Sequence, residues 1–111
     1  MRRLIGVLAV ALLTPLTARA AELAEPQALA KAVDILKGDP YGSTSAQVTA
    51  NIVERRRAPR RSTVCGGGDS MVWAFRVVVP KGPQRDDPID GWLVIDARSG
   101  RLVCASLPFL D

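Results

Sequence analysis

The nine residues Met71 to Val79, MVWAFRVVV, leave the backbone little choice. β-Branched and aromatic side chains dominate them, and these suit a pleated, half-buried surface. Side chains alternate along a strand, so Met71, Trp73, Phe75, Val77 and Val79 share one face. Arg76 points the other way, toward solvent. A strand this apolar requires neighbouring strands and a covering layer.

The covering layer is legible upstream. Glu22 to Lys37 is predicted to be a helix, because Leu29, Ala32, Val33 and Leu36 recur at the spacing of one buried helical face. Pro26 suits the first turn, Gly38 suits the left-handed position after the last, and Pro40 prevents continuation. Asp39-Pro40-Tyr41-Gly42 is predicted to be a β-turn with Pro second and Gly fourth.

The neighbouring strands lie on both sides of Met71–Val79. Upstream, Val48, Ala50 and Ile52 alternate with Gln47, Thr49 and Asn51, which predicts a strand, with a short helix as the alternative. Arg55, Arg56, Arg57, Arg60 and Arg61 then break the apolar pattern around Pro59, as a hairpin tip or flexible loop would. Thr63-Val64-Cys65 suits a further strand, and Gly66-Gly67-Gly68-Asp69 a permissive loop. Downstream, Pro80 to Asp90 is a polar loop. Trp92 to Asp96 and Arg101 to Leu107 form a hairpin around Arg98-Ser99-Gly100, with Gly100 at the left-handed position. Pro108 ends the pairing, and Phe109 and Leu110 are expected to fold back onto the body, with an exposed apolar tail as the alternative. The order, one helix and then three or four strands linked by hairpins, predicts an α+β domain with the helix across one face of an antiparallel sheet.

The first 20 residues stand apart from this pattern. Arg2 and Arg3, the apolar run Leu4 to Leu13 and the ending Ala18-Arg19-Ala20 have the layout of a secretory signal peptide cut after Ala20. Residues 21–111 then form the single domain. The apolar run is short for a bilayer span, so no transmembrane segment is expected after processing. Removing Arg2, Arg3 and Arg19 leaves 12 basic residues against 11 acidic ones, a net charge of +1. The basic balance of the whole chain is therefore largely that of its leader, and nucleic acid is not an expected partner.

Export also decides how Cys65 and Cys104, the only cysteines, are read. An oxidising compartment favours a disulfide between them, and a small core benefits from such a staple. Their spacing is unlike the close Cys-x-x-Cys of a redox couple.

Catalytic chemistry finds little to work with. The chain has no His, which removes the usual general base and the commonest zinc ligand. A Ser–Lys pair drawn from Ser43 or Ser45 with Lys31 or Lys37 has no spacing to recommend it. Asp86, Asp87 and Asp90 read as a solvated acidic turn, since Pro88 interrupts them and no ordered cation-binding motif is visible. Gly66-Gly67-Gly68 lacks the Lys-Ser/Thr that follows a phosphate-binding loop. No enzyme activity and no cofactor are expected. The five arginines are the largest local charge, read either as a patch for an anionic surface or an acidic protein, or as a solvated run.

The strand-turn-strand stretch Val94-Ile95-Asp96-Ala97-Arg98-Ser99-Gly100-Arg101-Leu102-Val103, following Trp73 to Val79, resembles the ending of a PepSY-type domain. That is a small exported bacterial module with a helix ahead of an antiparallel sheet. Cys65, Cys104 and the arginine run are not part of its pattern. The resemblance implies a non-catalytic periplasmic or secreted module that restrains a peptidase or binds another envelope protein. It supplies no catalytic residues. The helix-and-sheet order also resembles cystatins. Gln47-Val48-Thr49-Ala50-Asn51, however, keeps only the Gln of their Gln-x-Val-x-Gly loop, which argues against their mode of inhibition. The alternatives to an interaction module are a purely structural envelope component and a small enzyme without His.

Overall fold

A computed structural model describes residues 21–83 and 87–110. The signal-peptide reading of Met1 to Ala20 lies outside the described residues, as does Asp86 of the acidic turn. The described chain is α+β: two helices and one four-stranded antiparallel sheet.

Helix α1 spans Glu25–Leu36. It begins later than its apolar pattern suggests because the preceding residues are held extended. The Leu23 N–H donates to the Ala97 carbonyl at 2.7 Å, and the Leu23 carbonyl accepts from the Trp73 indole at 3.1 Å. Gln27 Oε1 accepts from the Ala24 N–H, satisfying one orphan donor of the first turn. The chain reverses at Gly38, whose φ is +122°. The turn is one residue earlier than expected: the Tyr41 N–H reaches the Gly38 carbonyl, which places Pro40 third, after a cis peptide bond.

Helix α2, Ser45–Asn51, replaces the strand expected from Val48, Ala50 and Ile52. A capping box explains the difference. Thr44 Oγ1 accepts from the Gln47 N–H at 3.1 Å, and Gln47 Oε1 accepts from the N–H groups of Thr44 and Ser43. Val48 is fully buried while Ala50 is exposed, so the period-two reading mistook a short helix for a strand.

Four strands follow: β1 Ile52–Pro59, β2 Met71–Val79, β3 Ile89–Asp96 and β4 Leu102–Ala105, in that order across the sheet. Thr63-Val64-Cys65 is not a strand. The segment leaving β1 forms a single 3₁₀ turn, Arg60–Ser62, and continues as an ordered loop. Gly100, at φ +77°, completes the β3–β4 turn as expected. Beyond β4 the C-terminal segment crosses Gly91 so closely that a Cβ there would collide with the Ser106 carbonyl. Leu107 is buried and Leu110 packs on the core, but Phe109 is 79% exposed, so only part of the tail folds back.

The sheet has two unlike faces. On the inner face Trp73, Phe75, Val77 and Val79 meet Leu93 and Ile95 of β3 and Ala28, Ala32, Val33 and Leu36 of α1. On the outer face a small separate cluster, Val72, Ala74 and Val94, is covered by Cys65, Cys104, Val103 and Trp92.

Candidate functional site

The arginine run is not a hairpin tip. Arg55, Arg56 and Arg57 lie within β1, an edge strand, and Arg60 and Arg61 lie in the 3₁₀ turn after it. An edge strand tolerates charge on both of its sides because solvent flanks it, and Pro59 is acceptable at its end. That tolerance removed the apolar alternation by which a strand is recognised.

The pairing register separates the run. Arg55 stands opposite Phe75 and Arg57 opposite Trp73, so both belong to the inner, helix-covered side. Arg55 pairs with Glu25 at 3.2 Å, and Arg57 with Glu22 at 2.6 Å. The hydrogen bond from Arg57 lowers the pKa of Glu22, and the same bond raises that of Arg57. Arg56 stands opposite Ala74, on the outer side. Its guanidinium lies 5.5 Å from the centre of the Trp92 ring, within cation–π range. Arg60 donates to the Gly66 carbonyl, and Arg61 pairs with Asp69. The five arginines therefore do not form one surface. Three have carboxylate partners, and Arg56 has none among the described residues.

Cys65 and Cys104 are joined, with their Cα atoms 5.9 Å apart across 39 residues of sequence. That separation is ordinary for a disulfide. The bond carries the loop between β1 and β2 across the outer face to β4. The loop has its own framework: the Arg60 N–H meets the Ser70 carbonyl, and the Arg61 N–H meets that of Gly68. Thr63 Oγ1 donates to the Arg60 carbonyl and accepts from the Cys65 N–H.

The loop leaves part of the outer face open. Arg76 stands opposite Trp92 there and makes a two-pronged pair with Asp90, at 3.0 and 2.7 Å. These hydrogen bonds raise the pKa of Arg76 and lower that of Asp90. Trp73 is core, whereas Trp92 is only partly buried and faces outward. The alternation of Trp92, Val94 and Asp96 against Leu93 and Ile95 contained that signal.

Among the described residues, the carboxylates do not converge on one reactive site. A cleft of ≈ 270 Å³ is lined by Glu22, Asp69, Ser70, Met71, Asp96 and Arg98. Glu22 and Asp69 are held there by arginines. The Asp96 carboxylate accepts from the backbone N–H groups of Ser99 and Arg98 and from the Ser99 hydroxyl. These bonds, led by that of the Ser99 N–H, lower its pKa. Each acid therefore holds local structure together. Among the described residues no group of three or more His, Cys, Asp or Glu is arranged to hold a metal. Ser43 Oγ donates to Gln47 rather than meeting a lysine. A second, shallower groove lies between the helices, lined chiefly by Pro26, Leu29, Val33 and Thr49.

Comparison with models of known protein families gives no match, and neither curated proteins nor solved structures give one. No helix among the described residues is long and apolar enough to cross a membrane.

Proposed function

We propose that the chain is an exported, non-catalytic interaction module of the PepSY type, acting in the periplasm or after secretion on another envelope protein or a peptidase. The observation that carries this reading is β1. It is an eight-residue strand at the sheet's edge, with five consecutive exposed residues, Val53 to Arg57. A long open edge offers unpaired backbone groups to an extended partner. The disulfide supports export, because such bonds persist in oxidising compartments. Cleavage after Ala20 accompanies this reading, and intact-mass analysis of the mature pool tests it.

Purification from an envelope extract tests the interaction. One stoichiometric partner is expected, and its loss should follow changes to β1 rather than to the helices. A chain that emerges alone would instead favour a structural component. The intrachain partners of Arg55, Arg57 and Arg61 support that second reading, since paired charges stabilise a fold without any ligand.

A further inference from the structure

We infer that Cys65–Cys104 is a redox-operated clasp: cleaving it releases the loop between β1 and β2 from the outer face and uncovers the apolar strip of Val72, Ala74 and Val94. The inference goes beyond the interaction reading. It concerns one purified chain and stands whether or not a partner is found.

Little else closes the loop over the strip. The apolar cover of Val72, Ala74 and Val94 is Cys65, Trp92, Val103 and Cys104. Of these only Cys65 comes from the loop, and its neighbour Val64 is turned outward, 53% exposed. The loop's polar bonds are made largely within itself. The Gly66 N–H meets the Thr63 carbonyl, Arg60 Nε donates to the Gly66 carbonyl, and Arg61 pairs with Asp69. One bond runs back to β1, from Arg56 to the Ser62 carbonyl at 3.4 Å. Among the described residues no hydrogen bond or ion pair joins residues 61–69 to β3 or β4. At Gly66, Gly67 and Gly68 a Cβ would meet no atom within 4 Å, so the tip stands clear of the body. The disulfide is therefore what holds the loop across to β4.

The bond is also within reach of a reagent. Cys65 and Cys104 are both half-buried, and Arg61, Ser62, Val64 and Gly67 around them are exposed. Thiol–disulfide exchange needs such access. A thiolate of a dithiol reductant attacks one sulfur, forming a mixed disulfide and releasing the other cysteine. The reductant's second thiolate then displaces the first cysteine. The Cys65–Cys104 bond is thus exchanged for a disulfide within the reductant, and two electrons and two protons pass to the cysteines. The chain has no third cysteine to divert the exchange, so oxidation restores the same pair. The strip shares no member with the inner core, so opening one face leaves the other packed. In an oxidising compartment the closed form is the resting one, and a dithiol is the signal that opens it.

The test uses the purified, oxidised chain, millimolar dithiothreitol without denaturant, and the apolar dye ANS. Reduction should go to completion, and dye fluorescence should rise severalfold as apolar surface is uncovered. Methyl NMR should place the dye at Val72 and Val94. Near-ultraviolet circular dichroism from Trp73 and Phe75 should persist, and oxidised glutathione should return the dye signal to its starting level. Cys65→Ser, which has no clasp to close, should bind the dye equally with and without dithiothreitol. The inference is overturned if the bond in the native chain resists dithiothreitol, if reduction leaves the dye signal unchanged, if the dye settles elsewhere, or if the inner-face signal is lost together with the loop's.

Discussion

The two faces of the sheet are covered by different means. The inner face is roofed by α1, and its core is continuous from Ala28 to Leu107. Among the described residues, no helix covers the outer face. Its cluster rests on three fully or almost fully buried residues, Val72, Ala74 and Val94, under a loop tied down by Cys65–Cys104. One side is held by buried apolar area, the other by a covalent bond over a small apolar patch. Only on the second does the sheet leave a partly exposed aromatic beside unburied charge. A sheet can thus gain its stability from one face and keep surface for contact on the other.

Removing the Phe75 side chain strikes the better-covered face. Phe75 is fully buried and lies 6.3 Å, ring to ring, from Trp73. Phe75→Ala should lower stability by about 3–5 kcal/mol, measured by denaturant unfolding of the oxidised protein. A loss near that of a surface substitution would remove the inner face as the main source of stability.

Cys104→Ala strikes the other face. Opening a loop of 39 residues should lower stability by about 2–4 kcal/mol. Trp92 fluorescence should shift toward that of an exposed indole, while near-ultraviolet circular dichroism from packed Trp73 and Phe75 is retained. Loss of both signals together would show that the two faces do not separate.

The smallest effect comes from acid. Asp96 stands opposite Val72 at the end of the outer face, and its folded pKa is lowered chiefly by the Ser99 N–H. A depressed folded pKa adds stability above the ordinary aspartate value, and that stability is lost as pH falls through the folded value. Asp96→Asn should therefore flatten the acid limb of the stability–pH curve and lower its neutral and alkaline plateau without changing the slope there. An unaltered acid limb would remove Asp96 from the account.

The inner face was the more legible in the sequence. Its residues announce themselves by period, at two along Met71–Val79 and at helical spacing along α1. The Gly100 turn and the cysteine pairing were also readable, because a left-handed glycine and a lone pair of cysteines each leave few alternatives. The outer face was not readable in the same way. Its cover comes from a loop with no period, and its edge strand carries arginines where alternation was sought. α2 stood only as the alternative because Val48, Ala50 and Ile52 mimic a strand, although Thr44 and Gln47 already spelled a capping box. Aromatic residues in strands are usually core, and only the pairing of Trp92 with Arg76 places it on the outer face.

The most direct test is an amide and methyl NMR spectrum of residues 21–111 before and after reduction of Cys65–Cys104. If the faces are independently held, signals from Arg60 to Ser70 should move to unstructured positions and those of β4 should broaden. Signals from α1, Phe75, Leu93 and Ile95 should keep their native shifts. Collapse of the whole spectrum, or a loop that stays in place without its bond, would contradict the account.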